Sequence, residues 1–186
     1  LRATAMGAVL DRIENEHLVS QHEAVALADG TLAMVLGQVT GGSLAQLLGD
    51  RGHLSPGETV TTVAPLFGAL ADLHAVGVVH GDLTPGSVLF SVDGKPLISD
   101  LGVARLLRRV GNRADRAECF LAPEVVSGAM PSSASDVYSM AAIGWFCLTG
   151  APPAPASAGS SSPPVSPQTP ARLVAVPPPL PLSPPP

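Results

Sequence analysis

The sequence contains little cysteine, no long apolar run and no excess of positive charge. Its two cysteines, Cys119 and Cys147, fit neither a disulfide framework nor a paired metal-ligand spacing, so we expect a reducing, cytoplasmic location. Runs of about 18 apolar residues are missing, which predicts no membrane-spanning segment in this chain. The net charge of -5 argues against nucleic acids and anionic membranes as partners.

Lysine is almost absent as well. Lys95 is the single lysine among ten basic residues, and the others are arginines. It directly follows Asp93 and Gly94, a pair of residues that signals a tight turn. No lysine precedes Lys95, so this sequence contains no lysine that could bind a phosphate group in the N-terminal part of the chain.

Residues 79–105 carry the strongest chemical pattern, VHGDLTPGSVLFSVDGKPLISDLGVAR. Asp82 follows His80 and precedes a proline-bearing turn, two short apolar runs flank the Asp-Gly turn, and Asp100 precedes Leu-Gly. This order predicts two carboxylates on two loops that flank a hairpin. Phosphoryl transfer uses such a pair, because one carboxylate orients the attacking hydroxyl while the other holds Mg²⁺ against the phosphates.

This stretch resembles the catalytic core of bacterial-type serine/threonine protein kinases, with HGD and DLG where that family has HRD and DFG. Two further matches, A-P-E at 122–124 and D-V-Y-S at 136–139, follow in the family's order. The resemblance implies an α+β, protein kinase-like fold, which we expect to be truncated. The predicted units are a partial kinase-like domain at 1–150 and a Pro/Ser/Ala-rich disordered tail at 151–186. Within the domain, residues 1–39 are a remnant N-lobe with a few β-strands, and residues 40–150 are a mainly helical C-lobe core.

The resemblance also implies roles for single residues. Asp82 takes the place of the catalytic aspartate, although an ordinary turn aspartate is the alternative, and Asp100 takes the place of the Mg²⁺ ligand. Asp136 matches an aspartate that braces the catalytic-loop backbone; its alternative role is to favour the dipole at a helix N-terminus. The remaining structural positions are His80, Gly102 and Glu124.

Three positions depart from the family pattern. Thr84 replaces the catalytic-loop lysine, which removes a cation that would meet the transferred phosphate. Ser87 replaces the asparagine that ligates the second Mg²⁺, and Gly81 replaces an arginine that docks a phosphorylated activation loop. Residues 101–124 contain no Ser, Thr or Tyr, so control by phosphorylation of that loop is not expected.

The residues before this core resemble the end of a kinase N-lobe. Apolar spacing in residues 1–15 predicts an amphipathic helix, with Met6 where the family has the glutamate that pairs with the phosphate-binding lysine. The apolar runs 25–27 and 32–39, separated by Asp29-Gly30, predict a hairpin that ends at the adenine-binding hinge. The implied nucleotide-binding positions are Met34, Leu36, Gly37, Val39 and Leu89.

Three helices are predicted further on. Ser43 is a suitable N-cap for a short helix through Leu48, and the capping box at residues 55–58 starts a longer helix. Pro65 in that helix predicts either a kink or a helix that depends on its tertiary neighbours. Residues 132–150 are apolar on nearly all sides, so we expect that helix to be buried. The predicted apolar face of the second helix is Val60, Val63, Phe67, Leu70 and His74.

Proline dominates the end of the chain. Fourteen of the 20 prolines fall in residues 151–186, which predicts an extended, partly polyproline-II tail. Its P-x-x-P matches fit a Pro-rich-motif reader, and a plain linker is the alternative. Because the only arginine after Glu124 is Arg172 in this tail, we expect Glu124 to lack its usual arginine partner.

Three functions stay open. The favoured one is a catalytically impaired kinase-like domain, a pseudokinase with a regulatory or binding role, because the phosphate-binding lysine and a recognisable Gly-rich loop are missing. The alternative is an active Ser/Thr kinase, represented by a fragment, that transfers the ATP γ-phosphate to protein Ser or Thr. A third is an unproductive remnant whose Pro-rich tail mediates interactions and in which Trp145, Phe146 and Leu148 are partly exposed. ATP and Mg²⁺ should bind weakly or not at all, and the expected partner is a protein.

Overall fold

The structure is a computed structural model that describes residues 13–26, 32–101 and 118–154. Several predictions lie outside these ranges, namely most of the helix at 1–15, the Asp29-Gly30 turn, Gly102 and the tail from residue 155 onward. Residues 13–15, the predicted end of the first helix, are described and are not helical.

The described residues form a mixed arrangement of helices and antiparallel strands, as the sequence predicts. In chain order these are strands β1 (Gln21–Ala26) and β2 (Leu32–Leu36), helices α1 (Leu44–Arg51) and α2 (Pro56–Ala75), a 3₁₀ turn (Pro85–Ser87), strands β3 (Val88–Phe90) and β4 (Pro96–Ile98), and helices α3 (Pro123–Val126) and α4 (Ser133–Thr149).

The strands form two antiparallel pairs, β1 with β2 and β3 with β4. β1 begins at Gln21, earlier than the predicted run at 25–27, because strand pairing uses backbone groups and extends into polar residues without an apolar cue. β2 ends at Leu36. Gly37 and Val39 therefore follow the strand that was predicted to contain them.

Helices α1 and α2 begin where the sequence predicts. Ser43 and Ser55 each cap a helix through a complete capping box, with Gln46 and Glu58 as the respective partners. α1 continues past the predicted end at Leu48 to Arg51, and α2 runs as one continuous helix through Pro65.

The predicted apolar face of α2 is partly wrong. Val60 is 62% exposed, because the buried stripe is rotated toward Thr59 and Thr62. Two threonines thus occupy core positions that an apolar pattern cannot reveal. The buried residues of α2 are Thr59, Thr62, Val63, Leu66, Ala69, Leu70 and Leu73.

Helix α4 starts at the capping box of Ser132 and ends at Gly150, which has the left-handed φ of 69° that a C-cap glycine provides. The prediction that α4 is buried on all sides is wrong, and the partial exposure expected of Trp145, Phe146 and Leu148 under the remnant hypothesis is confirmed. One face packs on α2, whereas Trp145 is 56% exposed on the other face. Among the described residues, no element buries the side of α4 that carries Trp145 and Leu148.

The core lies between α2, α4, α1 and β4 and is built mostly from aliphatic side chains. None of the helices in the described ranges is both long enough and apolar enough to cross a bilayer. The core residues with the least exposure are Leu44, Leu66, Ala69, Leu73, Leu83, Val88, Ile98, Met140, Ile143 and Cys147.

Candidate functional site

Asp136 supports the loop that contains Asp82. Its side chain is 1% exposed and accepts hydrogen bonds from the backbone N–H groups of His80 (2.8 Å to Oδ2) and Gly81 (2.8 Å to Oδ1). Nε2 of His74 lies 2.9 Å from Oδ2. A buried carboxylate needs such partners because its desolvation is costly. Asp136 thus makes the backbone contacts that the kinase resemblance implies, from the first turn of α4.

His80 is buried beside this loop and joins it to the loop of Asp100. Its Nε2 atom lies 2.8 Å from the carbonyl oxygen of Ser99, and the N–H of Asp82 donates to Nδ1 over 3.3 Å. A donor at Nε2 and an acceptor at Nδ1 define the neutral imidazole. Burial lowers the pKa of His80, and this outweighs the opposite effects of the Ser99 carbonyl and of the carboxylates of Asp136, Asp82 and Asp100.

Ser99 ties the two loops together. Its N–H donates to the carbonyl oxygen of Ser87 over 2.8 Å, and its hydroxyl lies 3.1 Å from the same oxygen and 3.3 Å from Oδ2 of Asp100. Asp100 has a φ of 60°, which side-chain-bearing residues rarely adopt, and the next residue, Leu101, is buried in the core. Sequence reasoning missed Ser99, because two of its four contacts use backbone atoms that no motif marks.

The two altered catalytic-loop positions bond to each other. The Thr84 N–H donates to Oγ of Ser87 over 3.0 Å, and that hydroxyl donates to the Thr84 carbonyl over 2.8 Å. The Thr84 hydroxyl accepts from the N–H of Gly86. Ser87 is only 4% exposed. These contacts close a capping box around the 3₁₀ turn, so both side chains are used to shape the loop.

Gly81 could not hold the arginine of the family pattern without strain. Its φ is 78°, and a Cβ atom at this position would lie 3.1 Å from Cβ of Pro131. Pro131 therefore occupies the space into which a side chain at position 81 would extend. The sequence shows that the arginine is replaced by glycine. Only the structure shows that Pro131, fifty residues later, leaves no room for a side chain at position 81.

The described residues include only two lysine or arginine side chains, and both lie in surface ion pairs. Arg51 contacts Glu58 at 2.8 Å, and Lys95 contacts Glu16 at 3.1 Å. Three carboxylates act on His80, while the basic side chains of the described ranges are engaged elsewhere. This part of the site is therefore acidic.

The candidate adenine-binding residues lie around the hinge and β3. Met34 and Leu36 belong to β2, the N–H of Gly37 donates to the carbonyl oxygen of Ser20, and Val39 is half-buried just beyond. Leu89 in β3 is half-buried and pairs through its backbone with Ser43.

Gly41 allows this close approach between the post-hinge segment and β3. Its N–H donates to the carbonyl oxygen of Phe90, and a Cβ atom there would lie 2.4 Å from that oxygen. The hinge segment is thus joined directly to the hairpin between the two aspartate loops.

Two other candidate features are incomplete within the described ranges. Glu124 is exposed at the start of α3, and no ion pair to its carboxylate is found among the described residues. The same residues contain no group of three or more His, Cys, Asp or Glu side chains that could hold a metal ion. Asp100 offers one carboxylate, the kind of ligand that Mg²⁺ takes from a protein together with phosphate oxygens and waters.

Comparison with known proteins places these features in a family. Residues 7–168 match the model of the protein kinase domain. The chain is 36% identical over 137 residues to serine/threonine-protein kinase PknK of Mycobacterium tuberculosis, an alignment that covers 72% of this chain and 12% of PknK. It is 34% identical over 154 residues to PkaB of Streptomyces coelicolor (76% and 36% of the two chains) and 31% identical over 147 residues to PknE of M. tuberculosis (76% and 26%).

The chain thus spans a minor part of the length of these relatives. The matched region contains both aspartate loops, the Ala-Pro-Glu segment and helix α4. Its identity to kinases of two bacterial genera agrees with the order of motifs along the chain. The chain belongs to the protein kinase domain family.

Proposed function

We propose that this chain is a catalytically impaired kinase domain, a pseudokinase that works as a regulatory or binding module. The observation that carries the proposal is the reciprocal bonding of Thr84 and Ser87. In the family pattern these positions supply a cation and a metal ligand. Here both are short neutral side chains that are used to cap a turn.

The charge distribution supports the same proposal. Phosphoryl transfer depends almost entirely on positioning and on electrostatic stabilisation of the phosphates. The described part of the site carries the carboxylates of Asp82 and Asp100, whereas its two basic side chains form surface ion pairs. Among the described residues, a phosphate group would therefore meet two carboxylates and no free basic side chain.

Nucleotide binding by this chain is accordingly expected to be weak. If ATP binds, Leu36, Gly37, Val39 and Leu89 would contact the adenine, and Asp100 would supply the one carboxylate for Mg²⁺. The same proposal includes a division of the chain into a remnant N-lobe (1–39), a C-lobe core (40–150) and a tail (151–186). It also includes a protein as the binding partner.

A thermal-shift titration with ATP, with and without Mg²⁺, tests the proposal. We expect little stabilisation, because a ligand stabilises the folded state by RT ln(1 + [L]/Kd), which stays small while Kd exceeds the ligand concentration. The informative variant is Thr84→Lys combined with Ser87→Asn, which restores the family residues and should increase the Mg²⁺-dependent shift. A large shift in the unaltered chain that Asp100→Asn abolishes would contradict the proposal.

An active serine/threonine kinase is the second candidate, in agreement with the names of the relatives. The retention of Asp82 and Asp100 on loops tied together through Ser99 favours it. Transfer of the ATP γ-phosphate to a protein Ser or Thr by the purified chain would support it, provided that Asp82→Asn abolishes the transfer.

A further inference from the structure

The outer face of α4 forms an apolar surface, which we call the α4 stripe. Its large side chains are exposed and lie along the helix on the face away from its buried residues. Their spacing places them in consecutive turns of one helix. The α4 stripe consists of Val137, Tyr138, Ala141, Trp145 and Leu148.

The α4 stripe carries no charge. The single charged residue of α4 is Asp136, which is buried on the inner face and bonded to the catalytic loop. A folded protein normally separates exposed apolar side chains with charged ones, and a contiguous apolar surface marks a binding site. The α4 stripe is thus uncharged and mostly apolar, whereas the buried side of α4 contains Asp136.

The chain itself contains a segment with matching properties. Residues 173–182 read LVAVPPPLPL, which are all apolar. Between Asp136 and the C-terminus the only charged residue is Arg172, next to this segment. Proline-rich segments bind aromatic-lined surfaces in an extended form at a low cost in entropy, because proline already restricts the backbone.

The distances allow the segment to reach the stripe. The α4 stripe extends over about 17 Å from Val137 to Leu148, at about 1.5 Å per residue. Eighteen residues separate residue 154 from residue 173, and a flexible chain of 18 residues has a typical end-to-end distance of about 25 Å. A connection of this length gives an effective concentration in the millimolar range, so weak contacts suffice.

The chain leaves α4 close to Leu148, at one end of the α4 stripe. Leu148 lies two residues before the C-cap Gly150, where a Cβ atom would lie 2.7 Å from the carbonyl oxygen of Gly52. This close contact fixes the exit point of the chain beside α1. Pro153, three residues later, is already partly buried.

We propose that residues 173–182 bind to the α4 stripe of the same chain and cover Trp145. The apolar side chains of the segment, chiefly Leu173, Leu180 and Leu182, pack on the aromatic rings and on Leu148. This intramolecular contact is independent of nucleotide binding.

Trp145 is the single tryptophan, so its fluorescence reports directly on the proposal. We would compare emission maximum and acrylamide quenching in the chain of 186 residues, in a chain ending at Arg172, and in a full-length Leu173→Ser, Leu180→Ser, Leu182→Ser variant. Both altered chains should show a red-shifted emission and a quenching constant raised by about two-fold or more. The triple variant keeps the chain length, and far-UV circular dichroism checks that the fold is unchanged.

Addition of a synthetic peptide of residues 173–182 to the shortened chain should reverse the red shift in a saturable manner. Equal emission and quenching in all three chains would overturn the proposal. Protection of Trp145 that is lost on dilution would also overturn it, because a second copy would then be the occupant. Protection that persists in the triple variant would exclude this segment.

Discussion

Distant residues hold the backbone in both halves of the catalytic loop, and the halves differ in what their side chains contact. At residues 80 and 81 the backbone is fixed by Asp136, which lies on a distant helix, and His80 is bonded to Ser99. At residues 84–87 the side chains bond only to neighbours within the same turn. Long-range contacts thus support the loop. The side chains of Thr84 and Ser87, at the positions that supply a cation and a metal ligand in the family pattern, stabilise only the local turn.

This difference separates what the fold requires from what catalysis requires. Buried N–H groups need partners whatever the protein does, so Asp136 is required for folding. A lysine at position 84 or an asparagine at position 87 would serve a phosphate or a metal, and the fold does not depend on either. A kinase domain can therefore change its chemical residues while keeping its supporting contacts.

Replacement of Asp136 should have the largest effect on stability. Asp136→Ala leaves two buried N–H groups without an acceptor, and we expect the free energy of unfolding to fall by about 3–5 kcal/mol. Ser87→Ala, in the other half of the loop, should cost only about 1 kcal/mol. Urea unfolding measures both, with Asp50→Ala on the exposed side of α1 as the control. Equal losses for the two variants would refute the distinction between the halves.

Gly81 offers the next largest effect and a matched control. Gly81→Ala should lower the free energy of unfolding by about 2–3 kcal/mol, from the positive φ and from the contact with Pro131. Gly77 has nearly the same φ of 77° but no atom within 4 Å of its Cβ position. Gly77→Ala should therefore cost about 1–2 kcal/mol, the strain of the positive φ alone. The excess measured at position 81 gives the contribution of Pro131, and no excess would exclude it.

The buried His80 should make stability depend on pH. Because its pKa is lower in the folded protein than the ordinary value of 6.5, the unfolded chain binds a proton that the folded chain does not. The free energy of unfolding should thus fall as the pH drops below 6.5.

Urea unfolding between about pH 5 and pH 7 tests this dependence on His80. The slope of the free energy of unfolding against pH should decrease in His80→Gln. It should persist in a variant of the exposed His53. Glu58, whose pKa is lowered to about 2 by the backbone and hydroxyl of Ser55, loses its contribution only at lower pH. An unchanged slope in His80→Gln would show that the histidine is not responsible.

Lys95 should have the smallest effect of all. Its contact with Glu16 is exposed, and pairs of this kind contribute little because water screens them. Lys95→Met should leave both the melting temperature and any ATP-induced shift unchanged. A loss of ATP response in this variant would place the lysine in the site and weaken the case for impaired catalysis.

The sequence predicts the local features of this fold well. Ser43, Ser55 and Ser132 start their helices as expected, because a capping box involves only four consecutive residues. The likeness to kinases implies the backbone contacts of Asp136. Ser99 escapes prediction because backbone atoms form half of its contacts. The exposure of Trp145 is expected only under the remnant hypothesis, because the apolar pattern of α4 alone predicts a helix buried on all sides.

The bonding of Ser99 has a mechanical consequence. Since its amide, hydroxyl and carbonyl are all engaged, Asp100 cannot shift without straining the turn at Ser87 and the ring of His80. The amide of His80 in turn is anchored to the first turn of α4. A displacement of Asp100 would therefore be transmitted to α4, the helix that carries Trp145. The path consists of three hydrogen bonds, from Asp100 to Ser99, from Ser99 to His80 and from His80 to Asp136.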